Sequence, residues 1–208
     1  MSIGDDVKDV LTENGTSFTG YKLDGTTITG EYLDYETSYD SSTEFIRQFT
    51  LSASFSYDTS VEQGDIVAFG SNYYLVMNLK PERFENAVVE NGGFLVQCNC
   101  YGKFMRKAIN PDRNSNYEIT SSWNNQRTTV RALMYENVLS GITDTLTGSM
   151  EVPSLSFVLL TQNFTDVIVG DRWLPDFSVS TVYYRVSAIL TKKYAGLNYM
   201  LLEKDVRE

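Results

Sequence analysis

At 208 residues, 42% hydrophobic and 21% charged, the chain suffices for one large or two small folded domains and is too apolar to be disordered. No window approaches the roughly 20 apolar residues of a membrane span, and Met1-Ser2-Ile3-Gly4-Asp5-Asp6 lacks the basic and apolar segments of a signal peptide, so synthesis and retention in a cytoplasm are expected. The net charge of −10 is skewed, since residues 1–65 hold thirteen acids against three bases while residues 66–208 balance at fourteen each; this argues against a nucleic-acid grip, which needs Lys and Arg to replace counterions.

The best helix pattern runs from Ser2 to Asn14. Ile3, Val7, Val10 and Leu11 recur at i, i+4, i+7 and i+8, Ser2 and Asp5 fit a capping box, and Gly15 supplies a stop. Asp24-Gly25, between Tyr21-Lys22-Leu23 and Thr26-Thr27-Ile28, is a hairpin signal. Residues 34–44 are polar and acidic and read as an exposed loop. Leu51, Ala53, Phe55 and Tyr57 alternate with Ser52, Ser54 and Ser56, which predicts a strand with one wet face. Apolar runs follow at 64–76 and 93–96, with a long loop expected around Lys80 to Gly93. Cys98 and Cys100 flank Asn99 in an expected strand; sharing a face two residues apart, they suit core thiols better than a disulfide. Residues 107–118 have loop chemistry and the position of an interdomain connection. Thr128 to Met134 and Val138 to Leu146 read as strands, and Leu155, Phe157 and Leu159 repeat the earlier alternation.

One block occurs twice. Gly64-Asp65-Ile66-Val67 leads to Tyr73-Tyr74-Leu75-Val76, and Gly170-Asp171-Arg172-Trp173 leads to Tyr183-Tyr184-Arg185-Val186. Each copy continues through a glycine into another apolar run, Gly93-Phe94-Leu95-Val96 and then Gly196 to Leu202. Glycine supplies the positive φ of a tight turn, the aspartate can bond the turn backbone, and the aromatic and β-branched residues suit a pleated surface. The same order at offsets of about half the chain reads as one all-β unit used twice. The expected fold is mainly β: two tandem small barrels or sandwiches with a short N-terminal helix, over 1–108 and 119–208, joined by a linker at 109–118.

Catalytic chemistry finds little footing. The chain has no histidine, which removes nucleophile–His pairs and, with two cysteines only, makes a zinc site improbable. No phosphate-cradling glycine loop or dinucleotide fingerprint is present. The acid pairs Asp34/Glu36 and Glu82/Glu85 fall in expected loops, where solvated carboxylates are the ordinary reading. Trp123 and Trp173 read as core or interface residues. The sequence therefore predicts no enzyme, no cofactor and no metal.

Val61-Glu62-Gln63-Gly64-Asp65-Ile66-Val67, Tyr73-Tyr74-Leu75-Val76-Met77-Asn78 and Phe94-Leu95-Val96-Gln97-Cys98-Asn99 resemble the head-closure (stopper) proteins of tailed bacteriophages. Val169-Gly170-Asp171, Tyr184-Arg185-Val186 and Leu201-Leu202-Glu203-Lys204-Asp205 echo the same unit. The resemblance implies a virion structural protein of the neck, synthesised in a bacterial cytoplasm. It would form a ring of its own copies between portal-adaptor and tail proteins, retaining DNA that passes nearby without specific binding, away from any membrane. Family members usually carry one barrel, so the second is a departure. Gly64, Asp65, Gly170 and Asp171 are then structural turns. Asp5, Asp6 and Asp9 are the candidate docking surface, and loops 34–48, 80–93 and 172–182 would make subunit contacts or line a channel. The alternative is a tail or baseplate ring component, or a receptor- or carbohydrate-binding module.

Overall fold

A computed structural model describes residues 2–37, 50–117, 119–136, 157–176, 182–192 and 194–207. The chain opens with helix α1, Ile3–Asn14, where Ser2 Oγ accepts from the Asp5 amide at 3.2 Å and the Asp5 carboxylate accepts from the Ser2 amide at 2.9 Å. This reciprocal box satisfies two amides that the helix cannot. Six strands follow: β1 Thr16–Tyr21, β2 Thr27–Thr37, β3 Thr50–Ser56, β4 Ile66–Phe69, β5 Asn72–Phe84 and β6 Ala87–Gln97. Six more complete the described chain: β7 Cys100–Arg113, β8 Ile119–Glu136, β9 Phe157–Gln162, β10 Arg172–Pro175, β11 Tyr184–Leu190 and β12 Leu197–Lys204.

The strands close into two barrels, in the orders β1-β2-β3-β6-β5-β4 and β7-β8-β9-β12-β11-β10. The second order is the first raised by six, with β4 closing on β1 and β10 on β7. The irregularities match as well. The β1–β2 register slips between Phe18 and Gly20, and the β7–β8 register between Gly102 and Phe104. A bulge follows Val76 in the β5–β6 pair and Val186 in the β11–β12 pair. Bulges are placed features of a strand pairing, so their coincidence shows one barrel plan built twice.

Each barrel buries its own core. The first gathers Phe18, Leu33, Phe55, Val67, Val76 and Leu95, with Phe18 edge-on to Phe55 at 5.6 Å. The second gathers Phe104, Val130, Leu159, Trp173, Val186 and Leu202, with Phe104 and Trp173 at 4.8 Å. Closure gives every strand a neighbour on both sides within each barrel among the described residues, which removes the open edges of a flat sheet there. Helix α1 lies on β2, β3 and β6 of the first barrel, fixed by buried Leu11, by the Tyr57 hydroxyl donating to Asp5 at 3.0 Å, and by Lys8–Asp58 at 2.5 Å.

The chain divides into Met1–Cys98 with Tyr194–Leu197, and Asn99–Lys193 with Asn198–Glu208. The linker expected at 109–118, and with it the ends at 108 and 119, are therefore corrected. Residues up to Arg113 continue β7, a turn follows, and β8 begins at Ile119. The Asn, Pro and Ser chemistry there serves a ladder irregularity, with a register shift between Lys107 and Asp112, and a hairpin turn in which Tyr117 has φ 65°. The boundary instead sits at Asn99, whose side-chain amide bonds Met134 in both directions, donating to its carbonyl at 2.7 Å and accepting from its amide at 2.8 Å.

Other expectations change. The loop at 80–93 is a two-stranded hairpin turning at Glu85 and Asn86, both at positive φ. Residues 34–37 are strand, while 38–48, 138–146, 155 and 177–181 lie outside the described residues. Cys98 and Cys100 do not share a strand, since β6 ends at Gln97 and β7 begins at Cys100. Neither is in a disulfide, and burial pushes the Cys100 thiol up to about 12, as suits a core thiol. In β9, Val158 and Leu160 are buried along with Leu159, so this strand has no wet face.

Candidate functional site

The two Gly-Asp turns carry the same four hydrogen bonds. Gly64 donates to the Val76 carbonyl, Asp65 to that of Glu62, and Val76 to that of Asp65, at 2.9, 3.1 and 2.9 Å. Gly170, Asp171 and Val186 repeat this with Val186, Ile168 and Asp171, at 2.8, 3.1 and 2.8 Å. The carboxylates cap the turns alike, Asp65 accepting from the Glu62 amide at 2.8 Å and Asp171 from the Ile168 amide at 2.9 Å. With φ of 95° and 96°, Gly64 and Gly170 occupy a region that other residues enter at a cost. These four residues tie each turn into its barrel.

Around the second turn lies an ionic cluster that motif reading did not reveal. Arg106 forks onto Asp171 with two bonds of 2.8 Å and reaches the Asp166 carbonyl at 2.6 Å. Arg172, with a side chain 5% exposed, pairs with Asp205 at 2.8 Å and stacks over Trp123 at 3.6 Å and Tyr183 at 4.5 Å. Arg207 also binds Asp205 and reaches the Gly170 carbonyl at 3.0 Å. Burial pushes the Asp205 carboxyl up, but hydrogen bonds from Arg207 and Arg172 outweigh it and hold the group well below the usual carboxylate range. This is a strap holding the C-terminal segment to the second barrel.

Of the three aspartates expected to dock a partner, Asp6 and Asp9 are exposed, whereas Asp5 is half-buried in the capping box. Hydrogen bonds from the Ser2 backbone and hydroxyl, then from Tyr57, hold its carboxyl below the ordinary value. Neutralising Asp5 therefore disturbs the helix cap, and only Asp6 and Asp9 remain as separable surface charges.

The structure also gathers acids that the sequence scatters. Register places Asp34, Ser54, Gly92 and Lys80 in one row across β2, β3, β6 and β5, with Glu36, Ser52, Phe94 and Asn78 in the next. Directly opposed residues share a face. Ser54 and Gly92 at the centre of the first row, with Ser52 beside Phe94 in the second, leave a groove of about 570 Å³ between longer flanking residues on the outside of the first barrel. Asp34, Glu36 and Glu82 line it, with Lys80 as the one base among its lining residues. Glu90 stands opposite Glu82, and burial, then the Glu82 charge, push its carboxyl up. Asp34 and Glu36 thus meet Glu82, but Glu85 lies at the hairpin turn.

Both barrels extend arms. The β5–β6 hairpin ends at Phe84, 52% exposed, and the β7–β8 hairpin carries Ile109 and Tyr117, 96% and 79% exposed. Lys107 and Arg113 are exposed on the second arm. Among the described residues no group of three or more His, Cys, Asp or Glu is placed to hold a metal, and no helix is long and apolar enough to cross a membrane. Comparison with protein-family models, curated proteins and solved structures finds no match.

Proposed function

We propose that the chain is a non-enzymatic structural protein of a tailed-phage virion, a ring-forming head-to-tail connector of the head-closure type. The observation that carries this reading is one barrel plan built twice, with each barrel extending a hairpin arm whose large apolar side chains face solvent. Side chains such as Ile109 and Tyr117 gain from burial, and an arm projecting from a closed barrel offers them that on another molecule. The neighbours in this reading are further copies, portal-adaptor proteins and tail proteins. Residues 1–98, with sixteen acids against five bases, would repel DNA passing close by.

Immunogold electron microscopy of particles from the source, with antibody against the chain, tests the assignment. Label at the head–tail junction is the expected result. Label at the distal tip transfers the role to a baseplate or receptor-binding component, and particles without label remove the virion reading.

A further inference from the structure

The β5–β6 hairpin leaves the first barrel at a single rung. β3 pairs with β6 as far as Ser56 with Glu90, and Glu90 pairs on its other side with Glu82 of β5. Beyond this rung only β5 and β6 continue, as the pairs Arg83–Val88 and Phe84–Ala87. The register shifts directly after Glu82, leaving Val89 with no residue opposite. An extra residue of this kind bends its strand and interrupts the ladder. The arm therefore has a joint at its base. The rung that closes the joint sets two carboxyl groups against each other, and like charges directly opposed weaken a strand pair.

Little around the rung offsets that repulsion. From β3 come two hydroxyls, Ser54 bonding Glu90 and Ser56 donating to Asp58. From β2 come Asp34 and, one row further, Glu36. Lys80 on β5 stands two residues from Glu82 on the same face, opposite Gly92, and forms no ion pair among the described residues. Arg83 sits past the register shift. From α1, Asp5 is held by Ser2 and Tyr57, and Lys8 is paired with Asp58. Burial, then the Glu82 charge and a hydrogen bond with Glu82, push the Glu90 carboxyl up.

We propose that Glu82 and Glu90 form an acid-operated latch at the base of the β5–β6 arm. With one proton between them, the Glu90 hydroxyl donates to the Glu82 carboxylate and the rung stays closed. Without that proton two carboxylates face each other, and the rung opens at the joint beside Val89. The closed arm binds the proton more tightly than the open arm does. The latch therefore holds fully below the ordinary glutamate range and is lost as pH rises through the higher closed-arm value. Phe84, exposed near the arm's turn, moves with it. The device makes no use of the connector reading and is tested apart from it.

Hydrogen exchange of the full chain between about pH 4 and 8 tests the latch, read as protection so that the intrinsic pH dependence of exchange drops out. Protection of the amides at 83–90 should fall severalfold as pH rises. Glu90→Gln keeps a donor for the Glu82 carboxylate without a second charge, so it should hold the arm closed across the range and remove most of the fall. Glu82→Gln should do the same from the other side of the rung. Glu85→Gln removes one charge at the hairpin turn, away from the rung, and should leave the fall intact. An unaltered arm whose protection does not change with pH overturns the proposal. So does a fall that survives both Glu90→Gln and Glu82→Gln, or one that Glu85→Gln abolishes equally, since the arm would then answer to overall charge.

Discussion

Asp65 and Asp171 occupy the same turn, accept the same backbone amide bond, and differ in what faces them from the neighbouring strand. In the second barrel Arg106 forks onto Asp171, whose side chain is 1% exposed. The matched registers Tyr21 with Ile66 and Met105 with Arg172 put Lys22 at the corresponding place in the first barrel. Lys22 reaches Glu62 instead, at 3.0 Å. Burial, left largely uncompensated, then pushes the Asp65 carboxyl above its ordinary value. The backbone geometry of the turn thus needs the aspartate as a capping oxygen, and its charge is a separate matter settled by one cross-strand neighbour.

Asp171→Ala should break this comparison most. It strands Arg106 and removes the cap on Ile168, at a cost of about 3 kcal/mol to the second barrel. Asp65→Asn keeps an oxygen for the Glu62 amide and discards a buried charge, so the first barrel should hold or gain up to about 1 kcal/mol at neutral pH. Trp123 and Trp173 both lie in the second barrel, so tryptophan fluorescence in denaturant follows that barrel alone, while hydrogen exchange resolves both. Equal losses from the two substitutions would contradict the charge argument.

Large core residues trade strands between the barrels, and this gives the next effect. Gly102 holds the register position of Phe18, and Trp173 that of Val67. In the second barrel Trp173 on β10 and Phe104 on β7 supply the bulk, and β7 leaves room for the indole at Gly102. A Cβ at Gly102 would lie 2.4 Å from the Leu174 carbonyl oxygen and 2.7 Å from the Trp173 ring. Gly102→Ala should therefore cost about 2 kcal/mol through overpacking, read by the same denaturation. Phe18→Ala should destabilise the first barrel through a cavity instead. A tolerated Gly102→Ala would mean that Trp173 has freedom its burial denies.

Acid should move the barrels in opposite senses. Asp205 binds its proton more weakly folded than unfolded, so its stabilisation is present above the ordinary carboxylate range and is lost as pH falls below it. Asp65 binds its proton more tightly folded than unfolded, so its penalty grows as pH rises through that range and is absent in acid. Hydrogen exchange of the full chain across the carboxylate range should show protection falling in the strap around Arg172 and Arg207 before it falls at Glu62–Val67. Asp205→Asn should flatten the first response, and Asp65→Asn the second.

The helix, the Asp24-Gly25 hairpin, both Gly-Asp turns and the doubled β unit were legible because each rests on local chemistry: a cap, a positive φ, an alternation. The boundary was not. Loop-forming residues at 109–118 mark the end of an arm in a hairpin as readily as a linker, and periodicity cannot tell these apart. The alternation at Ser52–Ser56 predicted a wet face correctly, but the same reading failed at Phe157–Thr161, where Val158 and Leu160 fill the intervening positions and are buried. The groove was illegible for a different reason. Asp34, Glu36 and Glu82 meet only through the registers of four strands, and local sequence does not carry those registers.

The smallest predicted effect tests the equivalence of the barrels most directly. Between the paired positions Phe18–Glu31 and Gly20–Ile28, β2 carries an extra residue, with Gly30 at φ 79°. Between Gly102–Val130 and Phe104–Arg127, β8 does the same with Thr129 at φ 56°. Nothing lies within 4 Å of where a Gly30 Cβ would stand, so backbone conformation, and not space, favours glycine there. Thr129 is exposed, has no core packing to lose, and as a β-branched residue is strained in the left-handed region. Thr129→Gly should stabilise the second barrel by about 1 kcal/mol, the relief of strain exceeding the added entropy of the unfolded chain. Gly30→Thr should destabilise the first barrel by a similar amount. If Thr129→Gly instead destabilises, the bulge in β8 is held by contacts of the threonine itself, and the two irregularities share a position without sharing a cause.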